Sequence, residues 1–154
     1  MPVRPAREED FEAVLALYAA FGNRVPPIAG EAGRAHWRDL LAHPGTHIHV
    51  ALDESGAPVA VATLHLLPNM TYAGRPYGLV ENVIADPARR GGGYARAAME
   101  SLIDTAWAAD AYKIMLLTAK NPGGPEARGF YERLGFTDGD KYGMTLRRVK
   151  GRFG

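Results

Sequence analysis

The sequence predicts a mixed α/β domain, a twisted sheet with helices on both faces, and three stretches predict it. Residues 80–107 read as a strand, a glycine turn and a helix, and the apolar run over 112–118 follows. A strand, a helix and another strand make a βαβ crossover, so these two strands are expected to be parallel. Residues 46–67 read as two strands around Asp53-Glu54-Ser55-Gly56, an antiparallel hairpin. Ahead of it, residues 11–21 and 30–41 carry apolar side chains at helical spacing.

Taken in order, residues 2–6 form a short edge strand. Glu8, Glu9 and Asp10 then put negative charge at the start of a helix, where it is favourable. Phe11, Val14, Leu15, Leu17, Tyr18 and Phe21 make its apolar side, and Gly22-Asn23-Arg24-Val25-Pro26-Pro27 breaks it. The second helix carries Trp37, Leu40 and Leu41, and His43-Pro44-Gly45 stops it. Strands follow over 46–53 and 58–67, then a polar turn over 68–76. Val80, Val83 and Ile84 are β-branched, and Pro87, with no N–H to give, ends their strand. Gly91, Gly92 and Gly93 enter the next helix, whose stripe is Ala95, Ala98, Met99, Leu102, Ile103 and Ala106. After the strand at 112–118, residues 126–134 form a short helix closed by Gly135. Residues 142–149 add a last strand. The order is β-αα-β-β-β-α-β-α-β.

The 154 residues suit one domain, and 47% hydrophobic with 23% charged residues is ordinary for a globular chain. A net charge of +1 gives no electrostatic case for nucleic acid or an anionic membrane. No apolar run approaches the ~20 residues that span a bilayer. Met1-Pro2-Val3-Arg4 leads into acidic residues rather than the apolar core of a signal peptide. A cytoplasmic protein is expected. Cysteine is absent, which removes disulfides, thiolate metal sites and a thiol nucleophile. Ser55 and Ser101 are the two serines, and neither lies in a G-x-S-x-G elbow. If the chain transfers an acyl group, direct transfer is favoured.

Glycines between a strand and a helix leave backbone N–H groups bare at a helix N-terminus, which attracts anions. With Arg89 and Arg90 beside them, the turn is suited to a phosphate or pyrophosphate. The bland alternative is a glycine turn with two solvated arginines. GxxxxGK[ST] is absent, and G-x-G-x-x-G fails where Arg96 stands in place of its third glycine. What fits is Arg-x-x-Gly-x-Ala at Arg90, Gly93 and Ala95. Further on, Ala127-Arg128-Gly129-Phe130-Tyr131-Glu132-Arg133-Leu134-Gly135-Phe136 reads Ala-x-x-x-Tyr-x-x-x-Gly-Phe.

These two motifs, in this order, resemble those of the GCN5-related N-acetyltransferases, and the element order is similar along nearly the whole chain. The resemblance implies a single N-acetyltransferase domain over 1–154, with acetyl-CoA as co-substrate and no metal. The acceptor it implies is a primary amine of a small molecule or peptide. The pyrophosphate falls on Arg89, Arg90, Gly91, Gly92, Gly93, Tyr94 and Ala95. The pantetheine arm pairs with the backbone of Val83, Ile84 and Ala85, where the two parallel strands splay, and an N–H near Val83 holds the oxyanion. Tyr131, otherwise a core aromatic, is the acid that protonates the departing thiolate. Glu81 is the base, a carboxylate whose burial in a central strand raises its pKa; its alternative is a structural carboxylate. Many members have an asparagine seven residues before the tyrosine, and here Gly124 stands there. A chain of this fold that binds CoA without turnover is the alternative function.

Several polar residues carry two readings. His47 and His49 share one face of their strand; two imidazoles begin a metal site, but no third ligand stands out. His65 reads first as a packed core histidine and second as a residue facing the acceptor. Asn69, Tyr72 and Arg75 are turn residues or an acceptor wall, and Arg24 with Arg75 admits an amine that also bears an acidic group. The free edge of the last strand, over 142–149, predicts a homodimer.

Overall fold

The structure is a computed structural model that describes residues 1–21, 25–120, 124–139 and 142–146. It contains two compact units, Met1–Leu116 and Leu117–Gly154.

The first unit is built on β1 (Val3–Pro5), α1 (Phe11–Ala20), α2 (Gly30–Ala42), β2 (Thr46–Leu52), β3 (Pro58–Leu67), β4 (Tyr77–Ala85), α3 (Tyr94–Ala108) and β5 (Ile114–Leu116). Its sheet runs β1-β2-β3-β4-β5, antiparallel throughout except for the parallel β4–β5 pair. The expected crossover is therefore present. The expected strand over 112–118 is shorter, because its ladder holds only Ile114, Met115 and Leu116 against Gly78, Leu79 and Val80.

Strand period two sorts the side chains onto two faces. Ile48 and Val50 of β2, Val61 of β3 and Ile84 of β4 pack with Phe11, Val14 and Leu17 of α1 and Trp37 of α2. The opposite face carries Ala51, Ala60, Ala62, Leu64 and Val80, all buried, and α3 covers it with Ala98, Met99, Leu102 and Ala106. Alanine on both sides of that contact removes the bulk that would hold helix and sheet apart. On the same face buried His49 bonds Ser101 of α3, Nδ1 to Oγ at 2.8 Å. Burial, with His47 as a like neighbour, pushes the His49 imidazole below its ordinary value. Among the described residues no group of three or more His, Cys, Asp or Glu is arranged for a metal.

The N-terminus is fixed by one buried carboxylate. Asp10 accepts from both Arg4 guanidinium nitrogens at 2.7 and 2.9 Å and from the Arg7 backbone N–H at 2.7 Å. Burial pushes Asp10 up, and the hydrogen bonds from Arg4 and Arg7 outweigh it, leaving its carboxyl below the usual range.

The second unit holds α4 (Gly124–Glu132). Gly135 follows in the left-handed region at φ +91°. Its N–H reaches the Glu132 carbonyl at 3.0 Å, and the Phe136 N–H reaches the Tyr131 carbonyl at 3.1 Å. That is a Schellman cap, in which only a residue tolerating positive φ serves as the pivot. The expected last strand is not formed over Tyr142–Leu146, where Tyr142, Met144 and Leu146 are exposed. Residues 147–149 of that expectation lie outside the described residues, as do Asn23, Arg24 and Asn121.

Candidate active site

The ladder between β3 and β4 changes register in the middle of β4. Val61 pairs with Ile84 and Ala60 with Ala85, but Thr63 pairs with Glu81. Two β4 residues, Asn82 and Val83, therefore face the single residue Ala62. This is a β-bulge, and Asn82 sits in it at φ +54°. Asparagine tolerates the left-handed region better than the β-branched residues around it. A bulge leaves one residue of the ladder unpaired and bends the strand. On the other side of β4, pairing with β5 ends at Val80 and Leu116, five residues before β4 itself ends at Ala85. The backbone from Glu81 to Ala85 is thus released from its β5 neighbour within this unit. A cavity of about 330 Å³ lies against it, with Val83, Ile84 and Ala85 on one side and Ala20 and Phe21 of α1 on the other. Pro87 and Arg90 close its end.

Past Ala85 the chain makes a tight turn. The Asp86 carboxylate accepts from the Ala88 N–H at 2.9 Å, and Pro87–Arg89 forms a single 3₁₀ turn. Gly91 and Gly93 are both left-handed, at φ +80° and +78°. Gly93 is the N-cap of α3 and offers no side chain to satisfy the first turn. Among the described residues nothing accepts from the N–H groups of Gly91, Gly93, Tyr94, Ala95 or Arg96. Gly92 differs: its N–H goes to the Arg89 carbonyl at 3.2 Å. A Cβ there would stand 2.7 Å from the Tyr94 ring.

The two arginines, equivalent in the sequence, are not equivalent in space. Arg89 Nη2 lies 3.0 Å from Oδ2 of Asp53, a nearly buried residue in the β2–β3 turn. The other oxygen of Asp53 accepts from the Ser55 N–H and hydroxyl and from the Ala57 N–H. Those bonds and the Arg89 charge hold the Asp53 carboxyl below its usual range, the Ser55 hydroxyl contributing most. Arg90 has no ion pair among the described residues and lines the cavity. No local signal in the sequence marks Asp53, which lies 36 residues from its partner.

Glu81 corrects a premise. It was expected to be buried in the sheet, and it is exposed. Burial is what would adapt a carboxylate to proton transfer at neutral pH, and the structure does not provide it. Glu81 does share the α1 face of the sheet with Thr63, its cross-strand partner, and with His65, one residue pair further along β3. The Asn69–Arg75 stretch is a tied-down turn. Tyr72 and Ala73 adopt positive φ, Tyr72 stacks on Tyr112 at 3.9 Å, and Arg75 is paired with Asp110 at 2.9 Å. In the second unit, Tyr131 is half-buried, edge-on to Phe130 at 5.1 Å and to Phe136 at 6.0 Å. The Gly-Phe half of its motif is the cap described above, which fixes the turn of helix that carries Tyr131.

A bulged strand with a cavity along it, ending in a turn whose N–H groups and Arg90 have no partner among the described residues, suits an extended ligand that carries phosphate. The chain belongs to the acetyltransferase (GNAT) family, whose model matches residues 11–136. It is 28% identical over 137 residues to a glucosamine 6-phosphate N-acetyltransferase of Trypanosoma brucei brucei, covering 88% of each chain. Glucosamine 6-phosphate N-acetyltransferase 1 of Oryza sativa subsp. japonica is 28% identical over 115 residues, 73% of this chain and 67% of that protein. Among solved structures, a putative acetyltransferase from Agrobacterium tumefaciens is 40% identical with a TM-score of 0.88, covering 96% of this chain and all of that one. The protein is an N-acetyltransferase, and enzymes of this family use acetyl-CoA as co-substrate.

Proposed function

We propose that the protein transfers the acetyl group of acetyl-CoA directly to the primary amine of a small molecule, with an amino-sugar phosphate as the first acceptor to test. The similarity to glucosamine 6-phosphate N-acetyltransferases over most of the chain supports the acceptor class. The bulge at Asn82–Val83, with the glycine turn beyond it, supports the donor site and carries the reading.

In this reading the pyrophosphate takes the N–H groups of Gly91, Gly93, Tyr94 and Ala95 together with the Arg90 guanidinium. Gly92 keeps the turn clear of the Tyr94 ring, and Arg89 holds the loop to Asp53. The amide groups of the pantetheine arm pair with the β4 backbone over Val83, Ile84 and Ala85, adding to a released strand. The thioester carbonyl then meets the bulge, where an N–H near Val83 receives the oxyanion. Glu81 meets the acceptor as an ammonium. After the amine loses a proton its nitrogen attacks the thioester carbon; the C–N bond forms and the C–S bond breaks. Tyr131 gives its phenolic proton to the departing thiolate, and the proton shed by the nitrogen as the amide forms restores the phenol.

Thiol release measured across a panel of amines tests this. Glucosamine 6-phosphate is expected to give the highest kcat/KM, followed by glucosamine, with peptide N-termini lowest. A peptide amine that exceeds every small amine would reassign the acceptor class.

A further inference from the structure

The reaction needs a group that removes a proton from the ammonium, and Glu81, expected to do so from a buried position, is exposed. We propose that His65 is that group, with its acceptor nitrogen set by Thr46 and His43. This rests on the N-acetyltransfer reading above and deepens it.

His65 lies in β3 between Thr46 of β2 and Leu79 of β4. Its Nδ1 is 3.1 Å from Thr46 Oγ1. The same hydroxyl is 3.0 Å from Nδ1 of His43, at the C-terminal end of α2. Thr46 is buried, His65 is half-buried and His43 is exposed. The three positions are fixed by backbone geometry. Thr46 opens β2 in register with His65, and its N–H closes the 43–46 turn on the His43 carbonyl at 3.0 Å.

One hydroxyl has one proton, and it sits between two ring nitrogens. It can donate to only one imidazole, so at least one ring gives its own Nδ1–H to the hydroxyl. His43 is in water, where a neutral imidazole favours the proton on Nε2. That leaves His43 Nδ1 to accept from Thr46, and Thr46 to accept from Nδ1–H of His65. Nε2 of His65 is then the nitrogen with the lone pair.

β4 flanks β3 on the side opposite β2, and it carries Glu81. The pairs Thr63–Glu81 and His65–Leu79 are adjacent on one face, so His65 and Glu81 are diagonal neighbours, about 7–8 Å apart. Diagonal neighbours are within reach of long side chains, so one ammonium can meet both the carboxylate and the imidazole. Two other ionisable side chains among the described residues face this part of the sheet: Tyr18 of α1, whose phenol burial keeps protonated near Thr63, and Tyr77, opposite Leu67 on β4, with the Lys113 ammonium over its ring at 5.4 Å. Imidazole is the side chain whose ordinary titration lies nearest neutral pH, which suits a general base. Glu81 attracts the ammonium; His65 Nε2 takes one of its protons; the neutral amine attacks. The imidazolium keeps its Nδ1–H bond to Thr46 and returns the proton to water once the product has left.

Two measurements test the assignment on the full chain. Nitrogen-15 NMR of the histidines in the free protein is expected to show His65 protonated on Nδ1 and His43 on Nε2, with Thr46→Val abolishing that pattern. In the amine assay, His65→Gln is expected to lower kcat by about 10²-fold, the low end for a positioned base, with acetyl-CoA affinity unchanged. Added imidazole is expected to restore part of the rate. Thr46→Val should fall about tenfold in kcat, because it frees the tautomer without removing the base. Parental kcat in His65→Gln, or a loss that imidazole does not restore, would overturn the proposal, as would the opposite tautomers. Absence of N-acetylation by the parent with every amine, while the tautomers are as stated, would instead overturn the transfer reading on which the catalytic role rests.

Discussion

Tyr131→Phe is expected to lower kcat by roughly 10²–10⁴ while leaving acetyl-CoA binding unchanged. The substitution keeps the ring, and with it the edge contacts to Phe130 and Phe136. It also leaves the Schellman cap intact, since that cap uses the Tyr131 carbonyl and the Phe136 N–H rather than the phenol. What it removes is the hydroxyl proposed to protonate the thiolate. A thiolate is a better leaving group than an alkoxide, so some turnover should persist. Equal falls in kcat and in kcat/KM for the amine are the signature of an interaction made only in the transition state. A folded variant with parental kcat would return Tyr131 to a packing role.

The second large effect is on the donor site. At 100 times its dissociation constant, acetyl-CoA should stabilise the parent by about 2.7 kcal/mol, seen as a rise in Tm. Gly93→Asp should lose that rise. Gly93 is left-handed at φ +78° and caps α3, so any side chain there is strained, and aspartate also sets a negative charge among the N–H groups meant for the pyrophosphate. Arg90→Gln supplies the variant that leaves the backbone alone. It removes one charge-assisted contact and is expected to weaken acetyl-CoA by about 10- to 100-fold. If both variants keep the parental ligand-induced Tm rise, the glycine turn is not the phosphate site.

Features made within a few residues are legible in the sequence, and features made between distant strands are not. The strand, glycine turn and helix over β4 and α3 were legible because each signal lies within a few residues: β-branched side chains, Pro87, three glycines, then a 3.6-residue stripe. The shared face of His47 and His49 follows from period two alone. The bulge is different. It exists only as a mismatch between β3 and β4, with Asn82–Val83 set against Ala62, and one sequence read along its length does not show cross-strand register. An asparagine amid β-branched residues was the available hint. The burial expected of Glu81 fails for a separate reason. A carboxylate in a strand near the middle of a sheet was expected to be covered, but coverage depends on what lies above that position. Arg89 and Arg90 were indistinguishable because Asp53, which separates them, sits in another hairpin. The 112–118 run was read as a long strand from its apolar residues, while the ladder is set by the three residues that β4 offers it. The pairing of His43, Thr46 and His65 was invisible for the same reason as the bulge: it is made by strand register.

Direct transfer from acetyl-CoA to an amine is followed in a single turnover with acetyl-labelled acetyl-CoA and glucosamine 6-phosphate, quenched at intervals and read by mass spectrometry. The label is expected to move to the acceptor nitrogen, with one CoA thiol for each amide formed and no label on the protein at any time. Label that appears first on the protein and later on the amine, or CoA released without any amide, would contradict direct transfer.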